Sequence, residues 1–137
     1  MKVVRVFDIR SIADVPCGDG CFTGAVLAAL RNRTVPAPVY VGVDIVSDLV
    51  EQNRARHADA TTQFIEGDVV SGATPLPPAE LIFSRQMLQH LCNDDALRFV
   101  HAVARSSARF ALLTTFVTDS SFVNTDIACA SGDYRPQ

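Results

Sequence analysis

Long apolar runs are missing from this 137-residue chain, and with them any segment near the roughly 20 residues that a membrane-crossing helix needs. The opening MKVVRVFDIRS has no extended apolar core followed by small residues, so a secretory leader is not expected and a cytoplasmic compartment is. Excess positive charge is missing too. Eleven of the twelve cationic residues are arginine, yet the formal charge is −3 and the pI about 5.5, which excludes general attraction to a phosphate backbone and leaves nucleic acid at most a local patch. No C-x-x-C pair occurs. The four cysteines, Cys17, Cys21, Cys92 and Cys129, are too sparse and irregular for a disulfide framework, and no metal site is expected of them. Nor does any repeat, low-complexity tract or linker divide the sequence, whose length suits one domain spanning 1–137.

What is present is an alternation of short β-branched runs with helix-length amphipathic segments, the pattern of a parallel sheet covered by helices. Strands are expected at 11–17 (SIADVPC), 37–45 (APVYVGVDI), 62–69 (TQFIEGDV), 79–85 (AELIFSR) and 109–116 (RFALLTTF). Helices are expected at 21–33, with Phe22, Val26, Leu27 and Leu30 on one face, at 46–58, capped by Ser47 or Asp48, and at 93–107. In the last of these Asn93 is the expected cap, and Leu97, Val100 and Ala104 the buried stripe. Between the third and fourth strands SGATPLPPA is loop, because its prolines cannot donate to a ladder, and beyond Phe116 no period is sustained. The fold class is α/β, a doubly wound, mostly parallel five-stranded sheet with helices on both faces. Its strands' carboxyl ends share one edge, and there open sheets of this kind bind ligands.

That edge collects the residues of chemical interest. The stretch IADVPCGDGCF carries Gly18 and Gly20 in a turn between strand and helix, where bare backbone can approach a ligand. Asp44 ends the second strand, twenty-four residues after Gly20, where an acid can accept from both hydroxyls of a ribose; it would serve equally as a helix cap. Asp68 follows the third strand and can accept from an exocyclic amino group, or it closes the turn into the proline loop. The glycines also spell a variant dinucleotide fingerprint. Asp14 and Asp19 weigh against a pyrophosphate there and suit a ligand bearing an ammonium and a sulfonium.

DVPCGDG resembles the D-x-G-x-G-x-G motif of the class I S-adenosylmethionine-dependent methyltransferases, with GVDI and GDV in the places of their second and third motifs. The resemblance implies a Rossmann-like fold and S-adenosyl-L-methionine as cofactor. Contacts would come from Asp14, Pro16, Cys17, Gly18, Asp19 and Gly20 in the first motif, Asp44 and Ile45 at the ribose and adenine, Asp68 and Val69 at the adenine, and Ser84 after the fourth strand. Within the superfamily the chain is similar to a bacterial-type group carrying D-[IV]-P-C-G-D, where Pro16 is expected, then a stretch matched by SRQMLQHL and another matched by NTDIACASGDYRP. Class I members usually finish the sheet with two more strands, which are not found after Phe116, so a shortened domain is expected whose fifth-strand edge favours self-association.

Methyl transfer from a sulfonium is an in-line displacement, and the protein mainly supplies orientation and, for weak nucleophiles, a base. His90 is the imidazole expected near that edge, as a base for an acceptor hydroxyl or amine or as a packed residue; Arg85 would bind a substrate anion or lie solvated at the rim. No N-P-P-Y or D-P-P-Y follows the fourth strand, which disfavours methylation of adenine N6. The expected activity is S-adenosylmethionine-dependent methyl transfer to a hydroxyl or amine of an unidentified acceptor. The alternatives are a non-catalytic methyltransferase-like module that binds or assembles, and a nicotinamide-dependent reductase, which the acidic turn disfavours.

Overall fold

Five short runs become parallel strands, and four of them send side chains into both of two apolar layers. In the computed structural model, which describes residues 2–31, 37–114 and 125–129, these are β1 (Ser11–Asp14), β2 (Val39–Asp44), β3 (Thr62–Glu66), β4 (Leu81–Ser84) and β5 (Phe110–Leu113). They lie in one sheet in the order β3-β2-β1-β4-β5, all pairs parallel, the arrangement of a Rossmann-like α/β fold. The helices are α1 (Lys2–Val6), α2 (Cys21–Arg31), α3 (Ser47–His57) and α4 (Asn93–Arg105), with a short 3-10 turn at Leu88–His90.

Strand alternation explains the layers. Ile12, Tyr40, Phe64, Leu81 and Phe83 pack on one face with Val4, Leu27 and Val50 from α1, α2 and α3. Ala13, Val15, Val43 and Ile82 pack on the other with Phe99 from α4 and Val69 and Ala79 from the loops. Helices on both faces follow, as expected. No helix among the described residues is long and apolar enough to cross a membrane.

Several local expectations are corrected. Helix α1 is an element beyond those expected from the sequence, and its Val4 is fully buried in the first layer with Ile9. Neither Ser47 nor Asp48 caps α3: Val46 holds the cap position, and its amide donates to Asp44 Oδ1 at 3.0 Å. Asn93 does not cap α4 either. Cys92 stands there, and the Asn93 amide donates to Asp126 Oδ1 at 2.8 Å, so a residue of the tail takes one of the free amides. The buried stripe of α4 is Phe99 with Val103, while Leu97 is 56% exposed and Val100 39%. In α2, Leu27 is buried and Val26 half-buried, but Phe22 is exposed; the side chain of Leu30, and residues 115–124 and 130–137 of the expected last strand and tail, lie outside the described residues. Finally, Cys92 and Cys129 form a disulfide that joins residues 125–129 to the start of α4, which the irregular cysteine spacing did not suggest.

Candidate functional site

Parallel strands aim their carboxyl ends alike, so the turns after β1, β2, β3 and β4 converge on one edge, where two cavities adjoin. The first, of about 300 Å³, is walled by Val43, Asp44, Ile45, Asp68, Val69 and Met87, among others. The second, of about 440 Å³, lies toward the α2 end and is walled by Asp14, Cys17, Gly18, Asp19, Phe22 and Arg85. Pro16, Asp44, Ile45, Gln86 and His90 belong to both and mark where they meet. A long ligand could span the pair.

The turn after β1 is held from two sides. Gly18 N donates to Asp44 Oδ2 at 2.8 Å, so this amide is committed inside the protein and Asp44 is as much the latch of the turn as part of the cavity wall. With Val46 N on Oδ1, each Asp44 oxygen accepts one backbone bond and keeps a lone pair for an incoming hydroxyl. From below, Asn53 Nδ2 donates to Gly18 O at 2.7 Å and lies 3.7 Å from Cys17 Sγ. Asn53 is fully buried, and its Oδ1 has no hydrogen-bond partner among the described residues. That oxygen sits where a side chain at Gly20 would have to go: a Cβ there would meet it at 2.0 Å, and φ is +76° besides. Gly20 is therefore required by close packing and backbone alike, whereas Gly18, at φ +61°, faces open space. The Val15–Pro16 peptide is cis.

Asp14 stands differently from a plain cavity acid. Only 3% exposed, it accepts from Tyr40 Oη at 2.5 Å and Thr23 Oγ1 at 3.2 Å. Burial pushes its carboxyl up to about 6, although the Tyr40 and Thr23 bonds and the Arg85 charge pull the other way. Tyr40 is pushed up in turn by burial and the adjacent Asp14, and so remains a donor. Burial, then the charges of Asp44 and Asp14, push the Cys17 thiol up to about 12, which leaves it no nucleophile. Asp19 takes Cys21 N at 3.0 Å, and that bond holds its carboxyl below the usual range. Asp68 accepts the amides of Val70 and Ser71 on Oδ1, each at 3.0 Å, and is likewise held low, chiefly by Ser71. Its Oδ2 takes no bond among the described residues and is open to a donor in the first cavity.

Of the residues expected at the site, the structure brings together Asp14, Pro16, Cys17, Gly18, Asp19, Asp44, Ile45, Asp68, Val69 and His90. Ser84 is 2% exposed, its hydroxyl 3.7 Å from Met87 Sδ, and it is not part of either wall; nor is Gly20, which ends the turn against Asn53. Sequence reasoning passed over Tyr40, Thr23 and Asn53. For Tyr40 a signal existed: it pairs in register with Ile12, so Asp14 two residues on shares its face of the sheet. For Asn53 the signal was Val50, Asn53 and His57 at helical spacing, one inward stripe of α3. Among the described residues, Cys92, Asp95 and Cys129 group as metal ligands would, but the two sulfurs are bonded to each other and Asp95 pairs with Arg98.

A family model described as a methyltransferase domain matches residues 12–108, from β1 to the end of α4, and the chain belongs to that family. No curated protein sequence matches it. Three solved structures illustrate the shared fold. PigF with S-adenosylhomocysteine is 21% identical at a TM-score of 0.58, covering 72% of this chain and 28% of its own. Human N-acetylserotonin methyltransferase in complex with S-adenosylmethionine is 18% identical at 0.55, covering 69% and 26%. The phosphoethanolamine N-methyltransferase 1 of Haemonchus contortus, in complex with phosphoethanolamine and S-adenosylhomocysteine, is 18% identical at 0.57, covering 72% and 20%. The chain thus spans between 20% and 28% of the length of these proteins.

Proposed function

We propose that this edge binds S-adenosylmethionine and that the chain transfers its methyl group to a hydroxyl or amine. The observation that carries the reading is the pairing of adjoining cavities across Asp44: one walled in part by the apolar Ile45 and Val69 and by Asp68 with its open oxygen, the other by the acids Asp14 and Asp19. Those features fit, in order, a ribose, an adenine with its amino group, and a cationic amino-acid end. PigF, N-acetylserotonin methyltransferase and phosphoethanolamine N-methyltransferase, which share the fold, carry this cofactor or its product in their structures. The fit also explains the aspartates' different environments. Asp44 is latched rigidly, as a ribose acceptor should be, while Asp14 is buried beside two hydroxyl donors, where a nearby cation would draw its proton off.

When bound, the cofactor supplies an electrophilic methyl on a sulfonium whose leaving group departs as a neutral thioether. The protein's part is to align it and to manage the acceptor's proton. His90, at the junction of the two cavities on the 3-10 turn after β4, is the residue we assign to receive that proton. Ile45, 64% exposed, offers the apolar shelf over the first cavity.

The test begins with calorimetry. S-adenosylhomocysteine is expected to bind the unmodified protein, and Asp44→Ala to weaken it by about one to two decades, the loss of charge-assisted bonds worth roughly 1.5–3 kcal/mol. Unchanged affinity in a folded Asp44→Ala protein would falsify the ribose assignment. Once a screen of hydroxyl and amine acceptors finds turnover, His90→Gln should lower it by about 10²-fold or more with cofactor affinity changed little. Equal turnover by both proteins from pH 6 to 9 would remove His90 from the chemistry. The second reading is a cofactor-binding module without turnover of its own. Tight binding with no turnover across the screen would support it.

A further inference from the structure

Arg85 is the first residue after β4, and the cofactor contacts proposed above make no use of its charge. Its guanidinium stands 4.5 Å over the ring of Phe22, which stacks at 5.8 Å on Phe83, itself part of the core under the sheet. A flexible cation is thereby propped on a two-ring post and held at the wall of the second cavity. The next residue, Gln86, is a non-glycine at φ +57°, and its amide is tied to Thr114 Oγ1 at 2.8 Å, so the backbone that presents Arg85 is fixed at the end of β5. Among the described residues no carboxylate lies within ion-pair distance of Arg85 and no oxygen accepts from it. Among the described residues, five N–H donors in a planar fork are thus uncommitted at a cavity that Asp14 and Asp19 also line. Two acids and a guanidinium at one cavity complement a group bearing both signs, or a cationic ligand beside an anionic one.

We propose that Arg85 is the oxyanion anchor of this cavity, receiving a carboxylate in its fork. The proposal rests on the cofactor reading above to the extent that the carboxylate has two sources, the amino-acid end of the cofactor or an acceptor lying against Phe22. An arginine is suited to either because two parallel N–H bonds fix both the position and the plane of a carboxylate, which a lysine cannot do.

Calorimetry with two nucleosides separates the sources. S-adenosylhomocysteine carries the amino-acid end; 5′-methylthioadenosine lacks it. Arg85→Gln, checked for folding by its melting temperature, is expected to weaken S-adenosylhomocysteine about 10- to 100-fold and to leave 5′-methylthioadenosine within about twofold, with Arg85→Lys between. That pattern assigns the anchor to the cofactor. If Arg85→Gln leaves both nucleosides unchanged, the protein loaded with S-adenosylhomocysteine is titrated with benzoate, whose uptake by the unmodified protein and not by Arg85→Gln assigns the anchor to the acceptor. Equal weakening of both nucleosides overturns the proposal, since Arg85 would then merely shape the cavity; so does unchanged nucleoside binding without Arg85-dependent uptake of benzoate. If the unmodified protein binds neither nucleoside, the cofactor reading fails on its own. Benzoate titrated into the ligand-free protein then decides the anchor, Arg85-dependent uptake supporting it and none overturning it.

Discussion

Asp14 shows how one carboxyl can be both a structural element and a sensor of charge. Buried under α2 with Tyr40 and Thr23, it keeps its proton to about pH 6, whereas in the unfolded chain the proton leaves near the ordinary value of 3.8. Between those values the folded state holds more protons than the unfolded one, so rising pH costs stability across the window and the cost is complete above it. Some two pH units at about 1.4 kcal/mol each put the ceiling near 3 kcal/mol. Urea midpoints of the native protein minus those of Asp14→Asn should therefore fall as pH rises from 4 to 6.5 and level off above. A flat difference would mean that Asp14 ionises without hindrance in the fold. Under the proposed function a cation beside Asp14 draws its proton off, so affinity for S-adenosylhomocysteine should climb over pH 5 to 7 in the native protein and not in Asp14→Asn.

Elements were legible where a short apolar run met a turn signal, because period and punctuation are local properties. β1 to β4, α2 to α4 and the placement of Asp14, Asp44, Asp68 and His90 at one edge follow from that alone. What was not legible depends on partners distant in sequence. The buried stripe of α4 differs from the expected one because Leu97, Val100 and Ala104 keep helical spacing as well as Phe99 and Val103 do, and only the sheet decides which face it receives. The cap of α4 comes from Asp126 and the disulfide from Cys129, neither inferable from residues near 93. The bond closes 37 residues of sequence, for which chain entropy suggests roughly 3–4 kcal/mol, and the Asp126 cap adds about 1 kcal/mol. Reductant should lower the melting temperature of the native protein and leave that of Cys129→Ser, already lower, unmoved; equal melting of the native protein with and without reductant would show that the tether carries no stability. Such bonds persist in oxidising surroundings and are reduced in cytosol, so this one and the compartment expected from the sequence make opposite demands.

For the molecule as a whole, the sheet has two rims. β3 closes one, and β5 is outermost on the other, paired with β4 alone among the described residues and with Leu112 41% exposed. An outer strand of this kind offers backbone donors and acceptors to any strand that can reach them. We expect the 137-residue chain to self-associate through β5, with light scattering rising as concentration increases and Leu112→Lys returning it to monomer. A monomer at high concentration whose β5 amides are protected from exchange on both sides would mean instead that residues of the same chain complete the sheet.

The latch between Asp44 and the Gly18 amide has a kinetic meaning. Because the turn is tied by Asp44 above and Asn53 below before any ligand arrives, its ordering is no part of the encounter. Under the proposed function, association is then expected to be governed by diffusion and orientation, and differences in affinity among related ligands to appear mainly as differences in residence time. Loosening the latch would make turn closure a separate, slower event. Under the proposed function, the carboxylate assigned to the ribose thus also sets whether the site must wait for itself.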